Sequence, residues 1–315
     1  MKRLIMKRRL QRQQRHGFTL VEMLVVIGII VTLAGLVLPA YQAALAHARN
    51  TQCVSQLKEL GNALFLYESD KKYYPPYARN IALRSGTGTT TVGWIPSLFP
   101  YLDKEDEYAQ IIAGNTTRWQ KEYSFIICPS ENPDIGADLD GGGQLLFPMS
   151  YAINVGRQDV SSNSPPRDSR RAAISHNHTI DKADRQNTRI SDITDGKANT
   201  ILVSENMDLA NFTNVGELMQ GIAFDDDPTH GLSGVTSALI QPAAAPTSNL
   251  LIGNARPSSY HQNGFGFNVL YADLHVAPFV IDEESAVDSY YIYASQMTPG
   301  CNDDGIDWDT TTNCR

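Results

Sequence analysis

The hydrophobic pattern of the chain is dominated by one unbroken apolar run near its N-terminus. From residue 18 to residue 38, 21 positions carry a single charged side chain, Glu22. At ~1.5 Å per residue, a helix of this length is about long enough to cross the ~30 Å hydrocarbon core of a bilayer. The pattern therefore predicts a transmembrane helix, in which a carboxylate at the bilayer centre would cost about 2.5–3.5 kcal/mol.

Beyond Pro39 the pattern changes to an apolar stripe at helical spacing. The residues of this stripe are Cys53, Val54, Leu57, Leu60, Gly61, Leu64 and Phe65. The charged residues that lie mostly off it are Arg49, Lys58, Glu59 and Glu68. One helix of about 50 residues is predicted, with its first half in lipid and its second half against a globular domain. Pro75 and Pro76 end the helix or follow its end.

The remainder of the chain reads as short strands between turn-rich loops. The segments richest in β-branched and aromatic residues are 123–128, 149–154, 199–205 and 266–281. The last of them alternates, turns and returns, which predicts a β-hairpin. Residues 132–144 and 158–187 have the Gly, Ser, Asp and Pro content of surface insertions.

These elements predict an α+β fold, in which a long N-terminal helix, half transmembrane and half amphipathic, packs on an antiparallel β-sheet with large loop insertions. The predicted domain organisation has four parts. They are a basic leader at 1–17, a transmembrane helix at 18–39, its amphipathic continuation at 40–72 and an exported β-rich domain at 73–315.

Charge is divided unevenly along the chain. Residues 1–17 carry seven of the 26 Lys and Arg residues and none of the 34 acids, so 19 basic residues face 34 acidic ones in the rest. A basic flank before the apolar run keeps the N-terminus in the cytoplasm and places the large domain on the outer side of the membrane. The acidic domain lacks the clustered Lys and Arg that bind phosphates, which argues against nucleic acid as a partner.

Two kinds of export signal fit a basic segment followed by an apolar core. A secretory signal peptide would be cleaved after small residues, for which residues 44–46 would serve. Against this reading, the apolar core is longer than the usual ~7–15 residues, it contains Glu22, and the helical pattern continues past that site.

The segment GFTLVEMLVVIGII, residues 17–30, resembles the signal of type IV prepilins and type II secretion pseudopilins. The resemblance makes Gly17 the last leader residue, Phe18 the new and N-methylated N-terminus, Glu22 the assembly residue at the fifth mature position, and Pro39 a helix kink. It implies cleavage by prepilin peptidase and assembly with other pilin-like subunits. The expected location is the inner membrane, with a single span and a periplasmic or extracellular domain, or a filament.

The chemistry of this segment supports the same interpretation. Cleavage after Gly17 creates an α-amino group beside lipid. In a bundle of packed helices, the Glu22 carboxylate of one subunit can pair with the amine of a neighbour, which offsets the cost of desolvating both groups. The alternative is that Glu22 only extends toward the lipid headgroups.

The domain beyond the membrane carries a narrower resemblance. Residues 51–76, 128–130, 191–206 and 261–276 look like the DUF1559 prepilin-like proteins, whose C-terminal part is described as His, nine residues, Asp-Gly. Here eleven residues separate His261 from Asp273, and Leu274 replaces the glycine. The resemblance therefore implies an architecture, and it does not imply that this His and Asp form a fixed pair.

The even number of cysteines suits disulfides in an exported domain. They are Cys53, Cys128, Cys301 and Cys314. Cys301 and Cys314 flank a short acidic stretch and are the favoured pair, which leaves Cys53 to join Cys128 and tie the first helix to the sheet. Buried free thiols are the alternative.

The stretch between the last two cysteines is a candidate calcium loop. Its carboxylates are Asp303, Asp304, Asp307 and Asp309. Calcium prefers several oxygen ligands on a flexible loop, and the resemblance adds the calcium-stabilised C-terminal loop known in major pseudopilins. The spacing departs from the EF-hand rule, so a solvated acidic loop is the alternative.

No pattern in the chain indicates an enzyme. His176 and His178 lie in a polar segment without H-E-x-x-H or C-x-x-C, so surface histidines are expected rather than zinc ligands. G-x-S-x-G and P-loop motifs are absent as well. The expected function is that of a membrane-anchored pilin-like or pseudopilin subunit. The alternative is an exported module that binds a surface glycan through its aromatic residues and uses the helix only as an anchor.

Overall fold

The structure is a computed structural model. It describes residues 19–84, 88–115, 120–130, 149–158, 174–179, 187–194, 196–206, 209, 212–213, 221–225 and 266–280. The helices are α1 (Leu20–Lys71), α2 (Trp94–Leu98) and α3 (Glu105–Ile112), with 3-10 turns at Phe99–Tyr101, Ser124–Ile126 and Ile190–Asp192. The strands are β1 (Ala78–Ala82), β2 (Thr89–Val92), β3 (Tyr151–Gln158), β4 (Asn177–His178), β5 (Ile201–Glu205), β6 (Gly221–Asp225), β7 (Gly266–Tyr271) and β8 (Val276–Val280).

The chain divides into two compact units, Met1–Leu45 and Ala46–Arg315. The described part of the first unit is Thr19 and the start of α1. Its large apolar side chains, from Leu20 to Leu45, are between 39% and 79% exposed. By length and composition, α1 is the one helix in the described part of the chain that could cross a membrane. A continuous apolar surface of this kind is stable in lipid or against other helices.

In the second unit, the C-terminal half of α1 packs on a five-stranded sheet. The buried residues of α1 are Cys53, Gln56, Leu57, Leu60, Gly61, Ala63, Leu64, Tyr67 and Glu68. A Cβ at Gly61 would lie 2.9 Å from Cδ1 of Leu270 in β7, so the absence of a side chain permits this close approach of helix and sheet. The hydroxyl of Tyr151 in β3 donates to Oε1 of Gln56 at 2.7 Å and holds the helix to a second strand.

The sheet under α1 has the strand order β6-β3-β5-β7-β8. Its pairs are antiparallel except β3 with β6, which is parallel. A smaller sheet has the order β2-β1-β4, and there β1 and β4 are parallel. The predicted α+β architecture is confirmed, including the hairpin of β7 and β8, with two parallel pairs that the sequence pattern did not predict.

The strand predicted at residues 123–128 is wrong, because this segment contains the 3-10 turn Ser124–Ile126. Its carbonyl groups are bonded outside any strand ladder. The Ser124 oxygen accepts from Nε2 of Gln56 at 2.8 Å, and the Ile126 oxygen accepts from the Ser150 nitrogen at 2.8 Å. Tertiary contacts with α1 and with the start of β3 therefore override the high β-propensity of these residues.

The apolar stripe of α1 differs from the predicted one at both of its edges. Phe65, assigned to the stripe, is 46% exposed, whereas Glu68, assigned to the polar side, is buried. The Glu68 carboxylate accepts from the Ile190 nitrogen at 3.4 Å, and the nearby Tyr74 nitrogen donates to the Thr188 oxygen. Chain segments that cross this part of the helix cover a face that periodicity alone cannot identify.

Candidate functional site

Glu22 closes the first turn of α1. The backbone nitrogen and the hydroxyl of Thr19 donate to Oε2 of Glu22 at 2.8 and 2.7 Å, and the Glu22 nitrogen donates back to the Thr19 hydroxyl at 3.3 Å. This reciprocal pattern is a capping box, which satisfies helix N–H groups that have no intrahelical partner. Its sequence signal is the T-x-x-E spacing from Thr19 to Glu22, which was not among the sequence-based predictions.

The capping box leaves part of the carboxylate available. Oε1 of Glu22 makes no hydrogen bond to any residue in the described part of the chain. A carboxylate oxygen of this kind can accept from a cation on another molecule while Oε2 keeps its local role. Gly17 and Phe18, the predicted cleavage pair, lie outside the described residues. Pro39 lies within α1, and the kink there stays a prediction.

The disulfide Cys53–Cys128 joins α1 to the segment that follows the Ser124–Ile126 turn. Its Sγ atoms are 2.02 Å apart, its Cα atoms 5.1 Å apart, and both residues are fully buried. The predicted tie between the first helix and the sheet domain is thus confirmed. Cys301 and Cys314, the favoured pair in the sequence analysis, lie outside the described residues.

A buried carboxylate that the sequence pattern did not indicate, Glu205, lies beside this disulfide. It ends β5, and Oε1 and Oε2 accept from the side-chain and backbone nitrogens of Asn268 in β7 at 2.9 and 2.8 Å. The same Asn268 amide nitrogen donates to Oδ1 of Asn50 on α1 at 2.7 Å. The sequence gives only a weak signal for the burial of Glu205, because an acid at the end of an apolar strand usually faces solvent.

The arrangement around Glu205 does not favour a metal ion. Ligand atoms of Cys53, Cys128 and Glu205 lie within 4.8 Å of one another. The two sulfurs are bonded to each other, so neither is a thiolate that could bind zinc. The predicted calcium ligands lie outside the described residues: Asp303, Asp304, Asp307 and Asp309. Calcium therefore stays a prediction.

The turn between β7 and β8 is organised by Asp273 and His275. Oδ1 of Asp273 accepts from the His275 nitrogen at 3.1 Å and also contacts its ring Nδ1. Partial burial raises the pKa of Asp273, but the hydrogen bonds from His275 outweigh it and hold this pKa below its ordinary value. Leu274 adopts φ 71°, in the left-handed region that favours glycine. His261 lies outside the described residues.

His176 corrects the expectation of surface histidines. It is buried, its Nε2 lies 2.7 Å from Oγ1 of Thr188, and its carbonyl oxygen accepts from the Tyr77 nitrogen at 3.1 Å. These contacts join the chain after α1 to two later segments, so the role of His176 is structural. His178 in β4 is half-buried and lies against the ring of Tyr73.

Two protein families match the chain. Residues 42–282 match the family described as "Protein of unknown function (DUF1559)". Residues 12–38 match the "Prokaryotic N-terminal methylation motif", and this range includes Thr19 and Glu22. The boundary between the two matches, at residues 38 to 42, lies within α1, a few residues before the boundary between the two compact units at Leu45 and Ala46.

Curated relatives match the chain as well. It is 38% identical over 140 residues to the type II secretion system core protein G of Pseudomonas aeruginosa, covering 42% of this chain and 92% of that protein. It is 42% identical over 119 residues to the core protein G of Escherichia coli, covering 38% of this chain and 76% of that protein. No solved structure gives a significant match to the chain.

Proposed function

The chain belongs to the DUF1559 family, and on that premise we propose that it is a pilin-like subunit of a type II secretion pseudopilus, processed by a prepilin peptidase. The observation that carries the proposal is the methylation motif, which falls on an exposed apolar helix with a carboxylate in its first turn. The relatives named as core protein G support the secretion assembly over other filaments.

Assembly would be driven by the exposed apolar part of α1. Side chains that are exposed in a single chain lose that exposure when helices pack together, at first within the bilayer. The available Oε1 of Glu22 would accept from the α-amine of Phe18 on a neighbouring subunit, which sets the register between helices. Charge pairing in a region of low dielectric is the reason for a single acid in this segment.

The second unit would lie on the outer side of the membrane. Two observations support this location: the basic residues before the apolar run, and a buried disulfide of the kind that persists in oxidising compartments. The role proposed for this unit is structural rather than catalytic, in keeping with relatives named as core proteins of a secretion system.

The test is incorporation into filaments. We expect Glu22→Ala to insert into the inner membrane like the unaltered chain and to be reduced at least tenfold in the filament fraction that is sheared from the cells. Glu59→Ala is the matched control, because Glu59 is an exposed acid on the same helix within the second unit. Equal incorporation of Glu22→Ala and the unaltered chain would refute the proposed role of this carboxylate.

A further inference from the structure

The second unit contains a pocket that the proposed assembly function does not use. Its volume is about 450 Å³, and it lies where the end of α1, strand β1 and residues 97–108 meet. The lining residues that matter here are Tyr67, Asp70, Arg79, Tyr101, Glu105 and Tyr108. A pocket of this size is within the range that holds small molecules.

Arg79 supplies a guanidinium group that has no ion-pair partner among the described residues. Nη2 donates to the Tyr108 hydroxyl at 2.9 Å and Nη1 to the Tyr67 hydroxyl at 3.4 Å, while the buried Nε has no hydrogen-bond partner within the described segments. No residue in the described part of the chain forms an ion pair with Arg79. Since each terminal nitrogen carries two N–H groups, one on each remains for a ligand.

The tyrosines do not neutralise this cation. Burial raises the pKa of Tyr67, and burial together with the hydrogen bond to Asp70 raises the pKa of Tyr101, so both phenols stay neutral at physiological pH. Asp70 does not pair with Arg79, because its Oδ2 accepts from the Tyr101 hydroxyl at 2.6 Å and pairs with Lys71 at 2.9 Å. A partly desolvated guanidinium with neutral partners alone favours an incoming carboxylate.

The other groups of the pocket restrict what can accompany that carboxylate. Asp70 and Glu105 are exposed acids on the pocket wall, and their oxygens can accept from hydroxyl or ammonium groups. The rings of Tyr67 and Tyr101 meet edge to face at 5.6 Å and form an apolar wall. Because two acids line its wall, the pocket does not favour a polyanion such as a nucleotide.

We propose that this pocket binds a small carboxylate ligand that also carries hydroxyl or ammonium donors, which is the chemistry shared by sugar acids and α-amino acids. The carboxylate pairs with the two terminal nitrogens of Arg79, and the donors face Asp70 and Glu105. The proposal goes beyond the assembly function, and the two can fail separately because the pocket lies in the second unit.

Ligand-observed NMR on the full chain in detergent micelles tests the proposal. The probes are D-glucuronate and L-alanine, with D-glucose as a neutral sugar and acetate as a carboxylate without donors. We expect saturable binding of D-glucuronate or L-alanine, at least tenfold tighter than that of D-glucose and acetate. The probe that binds tells which of the two sources supplies the carboxylate. Absence of saturable binding by both would overturn the proposal.

Substitution of Arg79 then links binding to the pocket. Arg79→Met should lower the affinity for the bound probe at least tenfold. Arg84→Met, which removes an exposed arginine just after β1, should leave this affinity unchanged. Arg79→Lys keeps the charge but loses the bidentate geometry of the guanidinium, so we expect it to weaken binding severalfold. This variant also serves as the test if Arg79→Met fails to fold. Unchanged binding in a folded Arg79 variant would overturn the proposal.

Discussion

The Glu205 carboxylate and Asn268 are joined by two hydrogen bonds inside the protein, at 2.8 Å from the Asn268 backbone nitrogen and at 2.9 Å from its side-chain amide. The amide also reaches Asn50 on α1 at 2.7 Å. One buried side chain therefore links β5, β7 and the helix. Buried carboxylates are costly unless their acceptor sites are satisfied, so this arrangement also defines how the helix sits on the sheet.

We predict that Asn268→Ala lowers the free energy of unfolding by about 3 kcal/mol, because it removes a charge-assisted hydrogen bond to a buried carboxylate. Urea denaturation of the purified chain measures the change. Adding Glu205→Gln should recover part of the loss, since the group left without its donor is then neutral. Asn62→Ala, at an exposed position of α1, is the control and should change the free energy of unfolding by less than ~0.5 kcal/mol. An equal loss of stability in Asn268→Ala and Asn62→Ala would contradict the prediction.

The Cys53–Cys128 disulfide should contribute strongly to stability. Its cysteines are 75 residues apart in sequence, and loop-closure entropy for a loop of that length corresponds to about 4 kcal/mol. Cys53→Ala combined with Cys128→Ala should therefore unfold at a lower urea concentration under oxidising conditions. With reductant present, the unaltered chain should unfold at nearly the same urea concentration as the variant. A stability difference below ~1 kcal/mol would show that the bond contributes little.

Thr19→Val separates the two roles that the structure gives to Glu22. The variant removes the hydroxyl that donates to Oε2 at 2.7 Å but keeps the carboxylate. If pairing with a neighbouring subunit is the main role of Glu22, filament incorporation should fall less than tenfold, compared with a larger loss for Glu22→Ala. Equal losses in sheared filament fractions would show that the cap itself is what assembly requires.

The pH dependence of stability contains a small contribution from Asp273. Its hydrogen bonds from His275 hold the pKa below the ordinary value, so the stabilisation is present above the pKa of the unfolded chain and is lost as the pH falls through the folded value. Because the pair is well exposed, the effect should stay below ~1 kcal/mol. Urea unfolding between pH 2 and 6 should show that the free energy of unfolding falls less steeply with decreasing pH in Asp273→Asn than in the unaltered chain. The same pH dependence in both proteins would contradict this prediction.

The sequence predicted those elements whose residues follow a regular local pattern, namely α1 and the hairpin of β7 and β8. The length of α1 follows from continuous apolar spacing up to Lys71, and the β7–β8 hairpin follows from alternation around a tight turn. The helix α2 was not predicted, because its five residues carry a proline and are all buried, so they show no polar face. Its position depends on the packing of the domain rather than on propensity.

The site was predictable only where chemistry is encoded in neighbouring residues. Glu22 stands out because a lone acid in an apolar run is unusual, and the T-x-x-E spacing from Thr19 was readable as a cap. Glu205 and Arg79 could not be found in this way. The partner of Glu205 is 63 positions away, and the pocket around Arg79 is assembled from α1, β1 and α3. Burial and long-range partners, which have no periodicity, decide what these residues do.

The mature N-terminus of the protein tests the central claim most directly. Intact-mass and peptide mass spectrometry of the chain purified from its native membrane should give a chain that begins at Phe18 with a methylated amine, and Gly17→Ala should leave residues 1–17 attached. A mature protein that begins after Ala46 would instead indicate an ordinary signal peptide, and it would contradict the account of a pilin-like subunit.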